Sequence, residues 1–396
     1  MKYLKVLCCL MLLVLSSGCW NSREITDLSI ASAVGFDKGE KGEFKITVQI
    51  INASGIIEQK SDGRSAMFIF TTTGKTMFEA MRKLTQKLPR KVYFSHIQVV
   101  VFGESLAKEG IKDTIDFMSR DHEFRSDFFM LIARDNTAKE VISSLVPLNR
   151  FSAIGIAQRL QNSEKSWAPS VTVRLNELLS NMVIEGKDPI MTAIKIIPNG
   201  GEPLKKKDIL NPNLPSNLKV GGIAAIKNDK LIGYFNEDES KGINYINNKV
   251  KNTVGSDTCP GKDGFWAVEI INSKSNVKTD LKDGKPNVNI TLNVEALVGE
   301  VDCSIDLTKE KTIKKLEKIV SEKAIHLMKD AVKKSKEYST DVFGFGNLFH
   351  QHHPDYWKEN KDKWNEIFKN IEVTYKAECN LRRTGTITNP IYGDIK

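Results

Sequence analysis

Apart from one stretch near its amino terminus, this 396-residue sequence has no long hydrophobic run. A helix needs roughly 20 apolar residues to cross a bilayer, so no second segment reads as a membrane-spanning helix. Cysteine is scarce, six in all, and never spaced Cys-x-x-Cys, which argues against a zinc ribbon or a dithiol redox centre. No Gly-x-Ser-x-Gly elbow is present, so a nucleophile raised on a strand-to-helix turn is not expected. Internal repeats are absent too. Basic and aromatic residues do not combine into a nucleic-acid recognition motif, and nucleic acid is not an expected partner.

What is there begins with Lys2 and Lys5, the apolar run Val6–Leu15, and then Ser16-Ser17-Gly18-Cys19. A positive tip, a short apolar core and small residues before a cleavage point are the parts of a secretory signal peptide. The cysteine sharpens this reading. A thiol at Cys19 can take a diacylglyceryl thioether and become the first mature residue, which predicts a lipid-anchored protein with Cys19 as its lipidation site. Ser16 stands where such lipoboxes usually carry a branched aliphatic residue, and Leu15 lies one position too early. Ordinary cleavage near Gly18 with release is the weaker alternative. Two acyl chains, at about 0.8 kcal/mol per buried methylene, would hold the mature chain stably at a membrane surface.

Losing residues 1–18 removes Lys2 and Lys5, so the net charge of +9 falls to +7 on 378 residues, a modest excess suited to a surface of anionic headgroups. That length is enough for two or three domains. Apolar residues make up 40% of the chain and are spread along it, which predicts folded cores rather than a disordered tether. Once Cys8, Cys9 and Cys19 are accounted for, Cys259, Cys303 and Cys379 remain. They are expected as buried free thiols in preference to one disulfide.

Strand-like and helix-like segments alternate, the pattern of mixed α/β domains. Ile30–Phe36 and Phe44–Ile51 flank a polar loop, Asp37–Glu43, and read as a hairpin. Helical spacing is expected over Thr76–Leu88, Ser105–Gly110, Ile111–Met118, Ala138–Leu145, Ile154–Asn162, Thr172–Leu179 and Glu237–Ile246. Ile97–Phe102 and Phe128–Ala133 are nearly continuous apolar strands, expected to be buried on both faces. A run of prolines from Pro189 to Pro215, with Lys205-Lys206-Lys207, reads as a connection. Beyond it, Asn228-Asp229-Lys230 and Asp283-Gly284 mark hairpin turns. Lys309–Tyr338 is an expected amphipathic helix roughly 45 Å long, Asp355–Phe368 a second helix, and Ile371–Leu381 a closing strand.

Three motifs invite an enzymatic reading, and each has a plainer one. Thr71-Thr72-Thr73-Gly74-Lys75-Thr76 ends like a phosphate-binding loop, but Ile69 stands in place of the upstream glycine. His350, His352 and His353 are the best metal candidates, yet their spacing completes no tetrahedral set, and a solvated loop before Pro354 is expected. Glu237, Asp238 and Glu239 read as the charge complement of a helix amino terminus. No catalytic residue, metal site or cofactor is therefore expected.

Several segments together resemble one family. Gly18-Cys19-Trp20-Asn21-Ser22-Arg23-Glu24-Ile25 resembles the start of mature Ger(x)C lipoproteins, the C subunits of spore germinant receptors, in which an acidic residue commonly fills the Asn21 place. Tyr93-Phe94-Ser95-His96 is similar to their second signature. Gly221-Gly222-Ile223-Ala224, Leu231-Ile232-Gly233-Tyr234 and Asn236-Glu237-Asp238-Glu239-Ser240 resemble a third. Asp341-Val342-Phe343-Gly344-Phe345-Gly346, then Trp364-Asn365-Glu366-Ile367-Phe368 and Arg382-Arg383-Thr384-Gly385, resemble the closing ones. These patches occur in order across almost the whole mature chain.

The resemblance implies a non-enzymatic lipoprotein of mixed α/β (α+β) class, with three domains of mixed β-sheets flanked by helices. It implies a spore inner-membrane location, on the extracytoplasmic face, and partnership with two integral membrane receptor subunits, A-type and B-type, in the response to nutrient germinants. With it, the chain divides into a signal peptide, 1–18, a discontinuous first domain, 19–70 and 186–250, a second, 71–185, and a carboxyl-terminal domain, 251–396, with the long helix. In the first domain the early hairpin and the Ile223–Phe235 hairpin are expected to share a sheet. The rival expectation is a solute-binding lipoprotein of a transporter, which would need two similar lobes around a cleft.

Overall fold

The computed structural model describes residues 28–52, 66–144, 146, 149, 151–197 and 218–382, together with Tyr3. The expected signal peptide, Cys19, the prolines from Pro198 to Pro215 and the Arg383–Gly385 end of the last signature lie outside the described residues.

The first half of the fold is built on strands β1 (Leu28–Lys38), β2 (Phe44–Ile51), β3 (Met67–Gly74), β4 (Lys91–Tyr93), β5 (Val99–Gly103), β6 (Phe129–Ala133), β7 (Ile190–Ile196), β8 (Leu218–Lys227) and β9 (Lys230–Tyr234). Among the described residues these nine form one sheet in the order β3-β2-β1-β5-β6-β7-β8-β9, with β4 paired to the start of β1. Its centre, β1-β5-β6-β7, is parallel, and its two flanks are antiparallel hairpins. The early hairpin and the Ile223–Phe235 hairpin do share this sheet, but β5, β6 and β7 stand between them.

Central parallel strands are covered on both faces, which is why they read as unbroken apolar runs. Val100, Phe102, Met130 and Ile132 point to one core, and Val99, Val101, Leu131 and Ala133 to the other. The first core is roofed by α1 (Met77–Lys83), α2 (Glu104–Glu109) and α3 (Lys112–Arg120). The second is roofed by α4 (Ala138–Ser143) and α5 (Ser152–Ser166). Asp37, at the end of β1, accepts the Ala138 and Lys139 N–H groups at 2.7 and 3.0 Å and so caps α4 from across the sheet. The helix expected at Thr172–Leu179 begins later, as α6 (Leu175–Val183). Thr172 is held extended by two 2.8 Å hydrogen bonds to the Glu164 carboxylate, and the Val173 carbonyl accepts the Met130 N–H.

Helix α7 (Glu237–Ile246) matches its expected bounds, because Asn236 and Glu239 form a capping box at its start. It leads to a second sheet of β10 (Thr253–Thr258), β11 (Phe265–Lys282), β12 (Lys285–Val301) and β13 (Glu372–Arg382), in that order. Asp283 and Gly284, both with positive φ, make the tight turn between β11 and β12. The long helix α8 (Glu310–Tyr338) packs on this sheet and on α7.

Two expectations fail here. The segment after α8 is not one helix behind a solvated loop but α9 (Phe345–His352), α10 (Pro354–Asn360), a short 3-10 turn and α11 (Trp364–Asn370). Pro354 starts α10 because proline lacks the N–H that would continue α9. The breaks let Phe349, Trp357 and Trp364 all turn into one buried aromatic cluster. The free-thiol expectation fails for two cysteines: Cys259 and Cys303 form a disulfide, and Cys379 is free and half-buried. Folding brings the turn after β10 beside the segment leaving β12, a proximity that no spacing of three cysteines reveals.

Candidate functional site

A dense group of buried polar contacts lies at the seam between the two sheets. It is built from the loop between α6 and β7, Ile184–Pro189, and from Ser339–Gly346, between α8 and α9. Asp341 is 3% exposed, and its carboxylate accepts the N–H groups of Gly344, Phe345 and Gly346 at 2.9, 3.0 and 2.8 Å. The Trp364 indole N–H donates a fourth bond at 3.0 Å. One side chain therefore starts α9 and fixes α11.

Asp341 also faces across the seam. Its N–H donates to Asp188 Oδ2 at 2.7 Å, and its carbonyl accepts the Asp188 N–H at 2.8 Å. The Asn347 N–H donates to the Gly186 carbonyl at 3.0 Å. Lys227, on β8, donates to the Ser339 carbonyl and to Asn365. Tyr338 donates to the Tyr234 carbonyl at 2.9 Å, and its ring lies edge-on to Phe235. Trp357 donates to Glu185 at 3.1 Å.

Close backbone approach makes two glycines obligatory here. Gly186 has a φ of +75°, and a Cβ on it would lie 2.4 Å from the Gly346 carbonyl carbon. A Cβ on Gly346 would lie 2.6 Å from the Trp364 indole nitrogen. A cleft of about 330 Å³ opens beside this seam, lined by Glu185, Lys187, Asp188, Asp341, Trp357 and Lys361 among others.

Burial dominates the electrostatics. It pushes Asp341 up to about 6, against the pull of its N–H donors and with a further push from Asp188. Asp188 is also raised, chiefly by burial, and burial lowers Lys187 and Lys227. The Asp341 oxygens are saturated by donors that hold the chain together. The arrangement therefore clasps two halves of the molecule, and it sets no nucleophile beside a base.

The sequence signatures divide between this seam and elsewhere. Gly221–Ala224 lies in β8, Leu231–Tyr234 in β9 and Asn236–Ser240 at the start of α7; Tyr234 accepts from Tyr338, just before the closing patches, and Lys227, beside the third patch, donates to Asn365 within them. Tyr93–His96 has its contacts elsewhere: β4 ends at Tyr93, Phe94 stacks on Phe124 with centroids 5.0 Å apart, and His96 is exposed. Thr71–Gly74 is strand, and Thr76 caps α1 by accepting the Glu79 N–H. The three histidines do not share a site of their own. His350 stacks on Trp357, His352 approaches the Thr279 hydroxyl and His353 the Thr279 carbonyl. Among the described residues no group of three or more His, Cys, Asp or Glu could hold a metal ion. Sequence reading missed Glu185, Gly186, Lys187 and Asp188. The only available signal was a glycine and a charged pair before Pro189 and a strand.

Residues 21–196 match the family model described as spore germination protein N-terminal domain, and residues 221–385 the one described as spore germination B3/GerAC like, C-terminal. Spore germination protein KC of Bacillus subtilis (strain 168) is 27% identical over 403 residues, spanning 100% of this chain and 99% of that protein. Spore germination protein B3 of the same organism is 25% identical over 376 residues, spanning 93% and 95%. The crystal structure of the GerBC protein superposes with a TM-score of 0.53 at 21% identity, covering 88% of this chain and 96% of that one, a likeness of fold.

Proposed function

This chain belongs to the Ger(x)C family of spore germination proteins, and from that premise we propose that it is the lipid-anchored C subunit of a nutrient germinant receptor. In this reading Cys19 carries a diacylglyceryl group, and the folded chain sits on the extracytoplasmic face of the spore inner membrane. It assembles there with an A-type and a B-type integral membrane subunit. Its role is non-enzymatic: the two halves, clasped at Asp188 and Asp341, brace or gate the membrane subunits.

The observation that carries the reading is the match of the two germination domains, in order, along one chain that begins with a lipobox-like segment. The Cys259–Cys303 disulfide supports export, because such bonds persist in oxidising compartments. The saturated Asp341 carboxylate supports a structural rather than a catalytic use of the most perturbed acid at the seam. The rival, a transporter's solute-binding lipoprotein, would be built from two similar lobes, whereas the described residues form one nine-stranded and one four-stranded sheet.

Replacing Cys19 with Ala tests the anchor. Mass spectrometry of the purified protein should show the acyl mass on wild type and its loss in the variant. Spores carrying the unanchored variant should respond poorly to nutrients; a normal response from them would contradict the proposal.

A further inference from the structure

Strand β1 limits which end of the molecule the proposed anchor can reach. Leu28, which opens β1, lies nine residues after Cys19. Fully extended, that tether spans at most about 32 Å. The strand itself has 11 residues and is roughly 35 Å long. A molecule standing on the Asp37–Glu43 loop, at the far end of β1, would hold Leu28 beyond the tether's reach. The end at Leu28 therefore lies nearest the bilayer.

The groups gathered at that end suit a headgroup layer. Strand β4 pairs with the start of β1, Lys91 beside Leu28 and Tyr93 beside Ile30. The turn from β4 to β5 carries the exposed His96, edge-on to the Tyr93 ring with centroids 5.5 Å apart. The segment between α3 and β6 closes against it: Lys91 binds Glu123, and the Ser95 hydroxyl donates to the Glu123 carbonyl at 3.3 Å. Arg90 is exposed and has no ion-pair partner among the described residues. Arg125 lies 3.9 Å from Asp127, both of them exposed, a pairing worth little in water and open to exchange for a phosphate. Strand β3 begins here too, and Phe68, level with Ala31 through Ile50, is 47% exposed. Guanidinium forks match phosphate oxygens, and tyrosine rings favour the membrane–water interface. The Tyr93–His96 signature, which takes no part in the seam, falls within this surface.

We propose that this end of the first sheet is the membrane face of the protein, with Arg90 and Arg125 on the phosphates of anionic lipid headgroups and Tyr93, His96 and Phe68 set among them. Strand β1 then stands up from the bilayer, and the Asp37–Glu43 loop points away from it. The inference rests on the lipid anchor proposed above and adds to it an orientation and a lipid contact. It needs no membrane subunit to be tested.

The test puts a maleimide fluorophore at one of two exposed positions in the full acylated chain, His122→Cys beside Glu123 or Glu40→Cys past the far end of β1. The two stand roughly 25 Å apart along the strand direction. Cys259 and Cys303 are joined, and burial pushes the Cys379 thiol up to about 12, so at neutral pH the introduced thiol takes the label. The protein, its acyl mass confirmed, is placed in nanodiscs of phosphatidylcholine and phosphatidylglycerol that carry a nitroxide quencher on the headgroup. Quenching is expected at position 122 and its loss at position 40. Arg90→Glu combined with Arg125→Glu should lower the quenching at 122 in these anionic discs and leave it unchanged in discs of phosphatidylcholine alone. Equal quenching at the two positions, or more at 40, would overturn the orientation. Undiminished quenching in the charge-reversed variant would overturn the headgroup contact. A missing acyl mass would contradict the anchor itself, and this proposal with it, so the two failures are told apart before any label is read.

Discussion

Asp341 carries more of the architecture than any other single side chain at the seam, since four N–H donors from two helices converge on it. Its pKa, raised by burial from 3.8 to about 6, has a consequence for stability. An acid that holds its proton more tightly when folded than when unfolded stabilises the fold only while protonated. That contribution is complete below about pH 4 and is lost as pH rises through 6. Asp341→Asn cannot titrate and places an amide among donors, so it should be less stable throughout. The gap between wild type and variant should narrow from pH 4 to pH 7.5 by up to roughly 3 kcal/mol, measured by urea unfolding. A constant gap would contradict the burial argument. Gly186→Ala should cost about 2–4 kcal/mol in the same assay, because both its φ and its contact with Gly346 exclude a Cβ. At this scale the sequence revealed half of the clasp. Asp341 stood out within a patterned segment, whereas Asp188 lies 153 residues away, and nothing local marks the two as partners.

Elements were legible where local rules decide them. Helix α7 has its capping box, α8 its apolar stripe, and the β11–β12 hairpin its Asp283-Gly284 turn. Their lengths were less so: a turn signal does not say how far strands run, and β11 and β12 reach 18 and 17 residues because they pair with each other along nearly their full length. Helix α9 was missed because Phe345–His352 contains a glycine and three polar residues of weak helical preference, and is held instead by the Asp341 cap and by buried Phe345 and Phe349. The disulfide belongs to this scale too, since it ties the turn after β10 to the segment between β12 and α8 across a separation of 44 residues. Chain-entropy reasoning for a loop of that size gives about 4 kcal/mol. Cys303→Ser should therefore lower the unfolding free energy by about 2–4 kcal/mol, and reductant should do the same to wild type alone. Helices α7 and α8 cross closely at Gly242, where a Cβ would lie 2.1 Å from the Leu327 carbonyl oxygen. Gly242→Val should force them apart at a cost of about 2–3 kcal/mol, seen as an earlier thermal transition.

At the scale of the whole molecule, the class of fold was legible and the sheet order was not. Alternating strands and helices announce an α/β protein, but β1 lies beside β5 rather than only beside its hairpin partner, a long-range choice that no local pattern encodes. One apolar cluster runs from the first sheet through α7 into the second, and the Asp188–Asp341 clasp closes the same seam. The two halves thus share one continuous core and form one body. The central claim, that this body is a receptor subunit, is tested most directly by isolating the acylated protein gently from spore membranes and identifying what accompanies it by mass spectrometry. The account predicts two multi-spanning membrane proteins, one A-type and one B-type; recovery of a transporter permease in their place, or of the protein alone, would contradict it.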